Sequence, residues 1–253
     1  MKSESIIMNI SDDLVFGILK EFNAAFNPEK LTRKILSPGE LAQKIDHTLL
    51  KPDAAAGEIK KLCGEALEYK FGSVCCNPFF VPLCKELLRD EIRICSVIGF
   101  PLGASKTEIK RIEASTALSD GAKEIDMVLN IGMLKEKNYG YVFNDISSVA
   151  EEVKKQNGIC KVILETCLLS DEEKINACLI SKAAGADFVK TSTGFGKSGA
   201  NIKDVALMKS AVGDKMKIKA SGGIKTREDA ELMIAAGADR IGTSSGVKII
   251  GSI

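Results

Sequence analysis

The sequence predicts a parallel (β/α)8 barrel, an α/β TIM-type architecture, and three observations carry that prediction. From about residue 40 onward, short β-rich runs alternate with amphipathic helical patterns. The runs number eight, at 44–49, 72–76, 93–99, 124–129, 160–166, 188–191, 216–220 and 240–243. The chain length of 253 residues matches the roughly 250 that such a barrel fills as one domain.

The elements follow in order. Residues 1–38 stand outside the alternation. Ser11 opens an amphipathic helix over 12–26, Asn27-Pro28 ends it, and Ser37-Pro38-Gly39 reads as the joint to the barrel. This extension is expected to cover the barrel floor or a subunit contact, and the barrel domain to occupy 39–253. Helical patterns at 57–70, 107–120, 141–156, 171–184, 202–211 and 227–236 fill the intervals between strands. Three connectors share one template: Gly121-Ala122-Lys123, Gly185-Ala186-Asp187 and Gly237-Ala238-Asp239. In each, a glycine ends a helix in the left-handed conformation and a strand begins about two residues later. The fifth residue after each glycine therefore falls at equal strand depth, which aligns Asp126, Lys190 and Gly242.

Charge and composition exclude several classes of function. Lys and Arg total 35 against 34 for Asp and Glu, with no basic stripe or polybasic tail, so neither nucleic acid nor an anionic membrane is an expected partner. No apolar run approaches the roughly 20 residues of a membrane span, and the run from Ile6 to Ile10 is too short for a signal core. A cytoplasmic protein is expected. The eight cysteines include no Cys-x-x-Cys pair and His47 is the sole histidine, so no metal is expected and the thiols read as free and buried.

Two lysines mark the chemistry. Phe188-Val189-Lys190-Thr191-Ser192-Thr193-Gly194 and Lys217-Ile218-Lys219-Ala220-Ser221-Gly222-Gly223 each carry a lysine at the end of an apolar strand, before a loop of small residues. A buried lysine is costly unless paired or used. Reaction sites of these barrels lie at the carboxyl ends of the strands, where neighbouring strands run about 4.8 Å apart. One ammonium there disfavours the charge of the other and frees an amine for Schiff-base chemistry. Lys217 shares the parity of Lys219 but lies a layer lower, so Lys219 is the preferred partner. Asp126 faces the lysines across the mouth, and Asp46, Lys161 and Glu165 are expected to complete a buried charge network. Cys75 should point inward from strand two as a channel thiol, and Cys76, of opposite parity, toward the helices. Gly194, Gly222, Gly223, Ser244 and Ser245 sit in the loops after strands six to eight. Backbone N–H groups and hydroxyls in such loops can cradle a phosphate.

These residues resemble deoxyribose-phosphate aldolase. The likeness runs from about Leu41 to Ile250 through Asp46-His47-Thr48-Leu49-Leu50-Lys51, Ser73-Val74-Cys75-Cys76-Asn77-Pro78, Gly99-Phe100-Pro101-Leu102-Gly103, Glu124-Ile125-Asp126-Met127-Val128-Leu129-Asn130, Lys161-Val162-Ile163-Leu164-Glu165-Thr166, the two lysine motifs and Gly242-Thr243-Ser244-Ser245. The resemblance implies a Schiff base on Lys190, proton transfer by Lys219 and Asp126, and phosphate held at Gly194, Gly222, Gly223, Ser244 and Ser245. The expected activity is reversible cleavage of 2-deoxy-D-ribose 5-phosphate, a small sugar phosphate, in deoxyribonucleoside breakdown. No cofactor is expected, and the assembly is expected to be a homo-oligomer, dimer or tetramer. Two positions depart from the family. Some members carry a carboxyl-terminal tail ending in tyrosine where this chain reads Gly251-Ser252-Ile253, and Cys76 stands where an aliphatic residue is common. A transaldolase-like Schiff-base barrel, or a sugar-phosphate-binding barrel without lyase activity, is the alternative.

Overall fold

The computed structural model describes residues 10–251. Eight parallel strands close into a barrel in sequence order, each paired with the next and the eighth with the first. They are β1 (Ile45–Leu49), β2 (Ser73–Cys76), β3 (Arg93–Ile98), β4 (Glu124–Val128), β5 (Ile159–Ile163), β6 (Phe188–Lys190), β7 (Lys217–Ser221) and β8 (Arg240–Thr243). Apart from Thr48 and Leu49 at its rim and the first residues of β3, β5, β7 and β8, this sheet is buried on both faces, as the near-continuous apolar runs require.

The helices in chain order are α1 (Asp12–Ala25), α2 (Pro38–Ala42), α3 (Ala56–Tyr69), α4 (Val81–Leu88), α5 (Thr107–Ser119), α6 (Ile131–Lys135), α7 (Tyr139–Lys155), α8 (Asp171–Ala183), α9 (Ile202–Val212), α10 (Arg227–Ala235) and α11 (Gly246–Gly251). Local chemistry accounts for their starts. Ser11 accepts from the Leu14 N–H at 3.2 Å, and Ser37, Ser170 and Thr226 each form a capping box with the acidic residue three positions on. The short helices α4 and α6 have no counterpart among the sequence patterns, because one holds Pro82 in its first turn and both are too short to show a helical period.

Of the two roles expected for the extension, covering the barrel floor does not match the path of its helix. Helix α1 packs on α8 and α9 in the outer layer and does not close the barrel floor. Residues 31–36 then cross to α10, where the Lys34 N–H meets the Glu231 carbonyl and Arg227 donates to the Leu36 carbonyl. The reason is the apolar stripe of α1, whose Val15 and Phe22 need an apolar surface. Residues 1–9 lie outside the described residues. Among those described, no helix is long and apolar enough to cross a membrane.

A buried ion pair pins two outer helices to the sheet. Lys110 of α5, fully buried, donates to Asp145 Oδ2 of α7 at 2.6 Å and to the Val128 carbonyl of β4 at 2.9 Å. Burial pulls the Lys110 amine down from its ordinary value, and the Asp145 carboxylate opposes that pull. Replacing one partner leaves a buried charge alone, so Lys110→Met should cost about 3–5 kcal/mol in chemical denaturation. Lys110→Met with Asp145→Leu should recover most of that loss, and equal destabilisation of both variants would contradict the pairing.

Candidate active site

Inward-facing residues of six strands build one charged cluster inside the barrel. Asp126 of β4 lies at its centre. Its Oδ2 accepts from Lys190 Nζ of β6 at 2.8 Å and from Lys219 Nζ of β7 at 2.7 Å, and its Oδ1 accepts from Lys161 Nζ of β5 at 2.7 Å. Lys161 also meets Glu124 Oε2 at 2.6 Å, and Lys219 meets Asp46 Oδ2 of β1 at 2.5 Å. Arg240 of β8 then bridges the open ends, bonding Asp46 Oδ1 and approaching Glu124 Oε1 at 3.6 Å. The contacts form a closed ring of alternating charge: Asp126, Lys161, Glu124, Arg240, Asp46, Lys219 and back to Asp126. Lys190 hangs on Asp126 as the additional cation.

Mutual pairing sets the ionisation of the ring. Burial alone would raise the Asp126 carboxyl, yet Lys161, Lys190 and Lys219 together hold it well below the usual carboxylate range. Asp46 is likewise held low, against burial, by Lys219 and Arg240. Burial pulls Lys219 and Lys161 down, but Asp126 with Asp46 for the first, and Asp126 with Cys95 and Glu124 for the second, push both above the ordinary ammonium value. Lys219 therefore stays an ammonium beside Lys190, bound to the same carboxylate oxygen.

Gly242 makes room for this arrangement. A Cβ at that position would stand 3.0 Å from Lys219 Cε and 3.0 Å from Ser221 Cβ. The glycine that the connector template aligns with Asp126 and Lys190 is thus the gap through which the Lys219 side chain passes.

Above the ring, a cavity of about 280 Å³ opens at the carboxyl ends of the strands. Of the ring and its appended lysine, Lys190 alone lines it. Gly194, Gly222, Gly223, Ser244 and Ser245 all lie in its wall, so the five loop residues come together around one cavity. Gly222 (φ 87) and Gly223 (φ 78) adopt left-handed backbone, and the Gly222 carbonyl packs so closely on Gly199 that a Cβ there would lie 2.1 Å from it. Lys51 and Lys225 add two cations to the same wall. Phe100 and Phe195 meet edge to face with centroids 5.4 Å apart, and Phe195 belongs to the cavity wall.

Two expectations, on Glu165 and Cys75, need correction, while Lys217 lies a layer below Lys219 as expected. Glu165 is not in the charge network, because β5 ends at Ile163 and the chain turns left-handed at Glu165 (φ 55). Its carboxylate accepts instead from the Thr193 hydroxyl and, at 3.3 Å, from the Thr193 N–H, anchoring the loop after β6. Cys75 does point inward and Cys76 outward, but Cys75 is fully buried against Leu50, Cys95 and Val97 and does not line the cavity, so it is not a channel thiol. Lys217 is exposed at the start of β7, with Nζ 5.8 Å from the Phe188 ring centroid, well apart from Lys219 and its carboxylates.

Cys75, Cys95 and Asp126 bring three potential metal-ligand atoms within 4.8 Å of one another. Three ammonium groups already occupy the carboxylate, which disfavours a further cation. A hydrogen bond from Cys95 lowers the Cys75 thiol to about 7 against the opposing effect of burial, with Lys219 and Lys190 assisting.

Glu124 and Arg240 escape a motif reading because each stands at a strand entry, where a charge ordinarily faces water. The connector template contains the signal. Both are third after their connector glycine, which places them one inward layer below Asp126 and Gly242.

Fold and site together define a (β/α)8 barrel in which one lysine of a buried charge cluster, Lys190, reaches a polar cavity at the carboxyl ends of the strands. The family described as DeoC/LacD family aldolase matches residues 41–251. A deoxyribose-phosphate aldolase of Caldanaerobacter subterraneus subsp. tengcongensis is 60% identical over 212 residues, covering 83% of this chain and 92% of the relative. One from Thermococcus kodakarensis is 56% identical over 214 residues, covering 83% and 96%. The solved tetrameric deoxyribose phosphate aldolase of Aeropyrum pernix superposes with a TM-score of 0.81 at 39% identity, covering 85% of this chain and 92% of that one. The chain belongs to the DeoC/LacD aldolase family and is a lyase.

The fit around Gly242 predicts the effect of a single methyl group. Gly242→Ala should displace the Lys219 ammonium and cut the turnover of aldol cleavage about tenfold, with circular dichroism unchanged. Unchanged turnover would mean that Lys219 adapts without cost.

Proposed function

We propose that the chain reversibly cleaves 2-deoxy-D-ribose 5-phosphate to D-glyceraldehyde 3-phosphate and acetaldehyde through a Schiff base on Lys190. The observation that carries this reading is the placement of Lys190: its amine alone of the charged cluster reaches the cavity, while the Lys219 ammonium shares its carboxylate oxygen. Two ammonium groups on one oxygen repel, and of the two amines that of Lys190 is the one a substrate in the cavity can reach.

The ring-opened sugar presents its C1 aldehyde to Lys190 Nζ. Addition gives a carbinolamine, and loss of water gives an iminium. Removal of the C3 hydroxyl proton, relayed by water towards Asp126 and Lys219, lets the oxygen form the C3 carbonyl while the electrons of the C2–C3 bond move into C1–C2 and the iminium pair moves on to nitrogen. That bond breaks, glyceraldehyde 3-phosphate leaves, and the C1–C2 fragment remains as an enamine. Protonation at C2 and hydrolysis release acetaldehyde and restore Lys190. The C5 phosphate would lie at Gly194, Gly222, Gly223, Ser244 and Ser245, with Lys51 and Lys225 supplying charge. This chemistry fits a role in deoxyribonucleoside catabolism.

In our reading residues 1–38 are an extension appended to a catalytic barrel of 39–253, and the protein works as a homo-oligomer in the cytoplasm. Eight free cysteines support a reducing compartment.

Borohydride reduction in the presence of acetaldehyde should attach a two-carbon unit to the peptide containing Lys190. Label on Lys219 or Lys217 in the unmodified protein would overturn the assignment. Ser244→Asp places a negative charge in the cavity wall and should raise KM for deoxyribose 5-phosphate about tenfold or more, while KM for deoxyribose changes less than about threefold. Equal losses on both substrates would remove Ser244 from the phosphate site.

A further inference from the structure

Glu124 and Arg240 are ring members that neither line the cavity nor contact Lys190. Glu124 is fully buried beneath Asp126 on β4, bound to Lys161, with the mostly exposed Arg93 3.8 Å away on its other side. Arg240, on β8, opens onto a separate cavity of about 410 Å³ at the amino ends of the strands, beside Gln43, Phe71, Gly72 and Arg93. The ring itself sets three carboxylates (Asp46, Glu124, Asp126) against three cations (Lys161, Lys219, Arg240). It is electrically balanced before Lys190 is counted.

We propose that Glu124 and Arg240 are positioning residues that hold this ring neutral and thereby set the pH at which Lys190 becomes a free amine. The inference rests on the reading of Lys190 as the Schiff-base lysine. With the ring balanced, a protonated Lys190 adds one net positive charge to the cluster, so the net charge of the ring bears directly on it. Loss of the Arg240 charge leaves the ring with an excess negative charge, which favours the Lys190 ammonium. Loss of the Glu124 charge leaves an excess positive charge, which favours the amine. Both residues also aim their neighbours. Arg240 holds Asp46 against Lys219, and Glu124 holds Lys161 against Asp126.

The remaining groups around Lys190 are common to every variant of the test. They are Asp126 on β4, Lys161 on β5, Lys219 on β7, Asp46 on β1, Cys75 on β2, Cys95 on β3, and Lys51 and Lys225 in the wall of the same cavity. Burial and the Cys75 thiol keep Cys95 well above its usual range, so of the two thiols Cys75 alone titrates near neutrality.

The experiment measures the pH profile of borohydride trapping with acetaldehyde in full-length protein, alongside kcat and KM for deoxyribose 5-phosphate. Peptide mapping of the unmodified protein first establishes that the label sits on Lys190, and a different site would refute the nucleophile before the ring is tested. Arg240→Met should move the trapping midpoint alkaline by about one pH unit, and Glu124→Gln should move it acid by a similar amount. Arg240→Lys, which keeps the charge, should restore the midpoint to within about 0.3 unit of the unmodified protein. The double variant Glu124→Gln/Arg240→Met is neutral again, and its midpoint should return between those of the single variants. In both single variants kcat should fall about tenfold or more with KM changed less than about threefold. Midpoints that stay put, or that shift in the same direction in both single variants, would overturn the proposal. Should Arg240→Met fail to fold, Arg240→Gln in the Glu124→Gln background, set against Glu124→Gln alone, gives the same comparison.

Discussion

Everything in the interior of this barrel is arranged around the carboxylate of Asp126. A carboxylate with no access to water is expensive by several kcal/mol unless every oxygen lone pair is met. Here Oδ1 takes Lys161 while Oδ2 takes both Lys190 and Lys219. Each of those lysines is itself an expensive burial, and Lys161 and Lys219 recruit Glu124 and Asp46 in turn. Arg240 ends the chain of debts by serving both acids at once. A parallel barrel is well suited to this closure, because β8 pairs with β1 and brings a residue from near the end of the chain onto Asp46.

The same topology separates the tasks of the site by depth. Charges that need one another lie inside the barrel, shielded except where Arg240 meets the cavity at the amino ends, and of the cluster only Lys190 reaches the cavity at the carboxyl ends. The loops above contribute left-handed glycines, hydroxyls and the cations Lys51 and Lys225, which suit a dianion in contact with water. Low dielectric strengthens the coupling among the buried charges, while the open mouth keeps substrate exchange possible.

Much of this was legible in the sequence, for a definite reason. A glycine that must end a helix fixes where the next strand starts, so counting from Gly121, Gly185 and Gly237 gave the depths of Asp126, Lys190 and Gly242 without any knowledge of distant contacts. Alternation along a strand did the same for Cys75 and Cys76. Glu165 was misplaced because Ile163-Leu164-Glu165 reads as continuing strand, and the left-handed turn at Glu165 depends on its bond to Thr193, a residue 28 positions away. The roles of Glu124 and Arg240 were hidden for a related reason. Closure of the ring is a property of strands one, four, five, seven and eight together, and no local window contains it. The path of α1 over α8 and α9 likewise depended on which outer helices offered an apolar groove.

That outer path bears on how such a protein can change over evolutionary time. Helix α1 and the segment that follows it touch outer helices and make no strand pairing. Such an addition can be gained, lengthened or exchanged without shifting the register of any strand, and hence without disturbing the charge ring within. Changes in the amino-terminal segment are therefore met by the outer helices it touches, while the charge ring depends on contacts within the barrel.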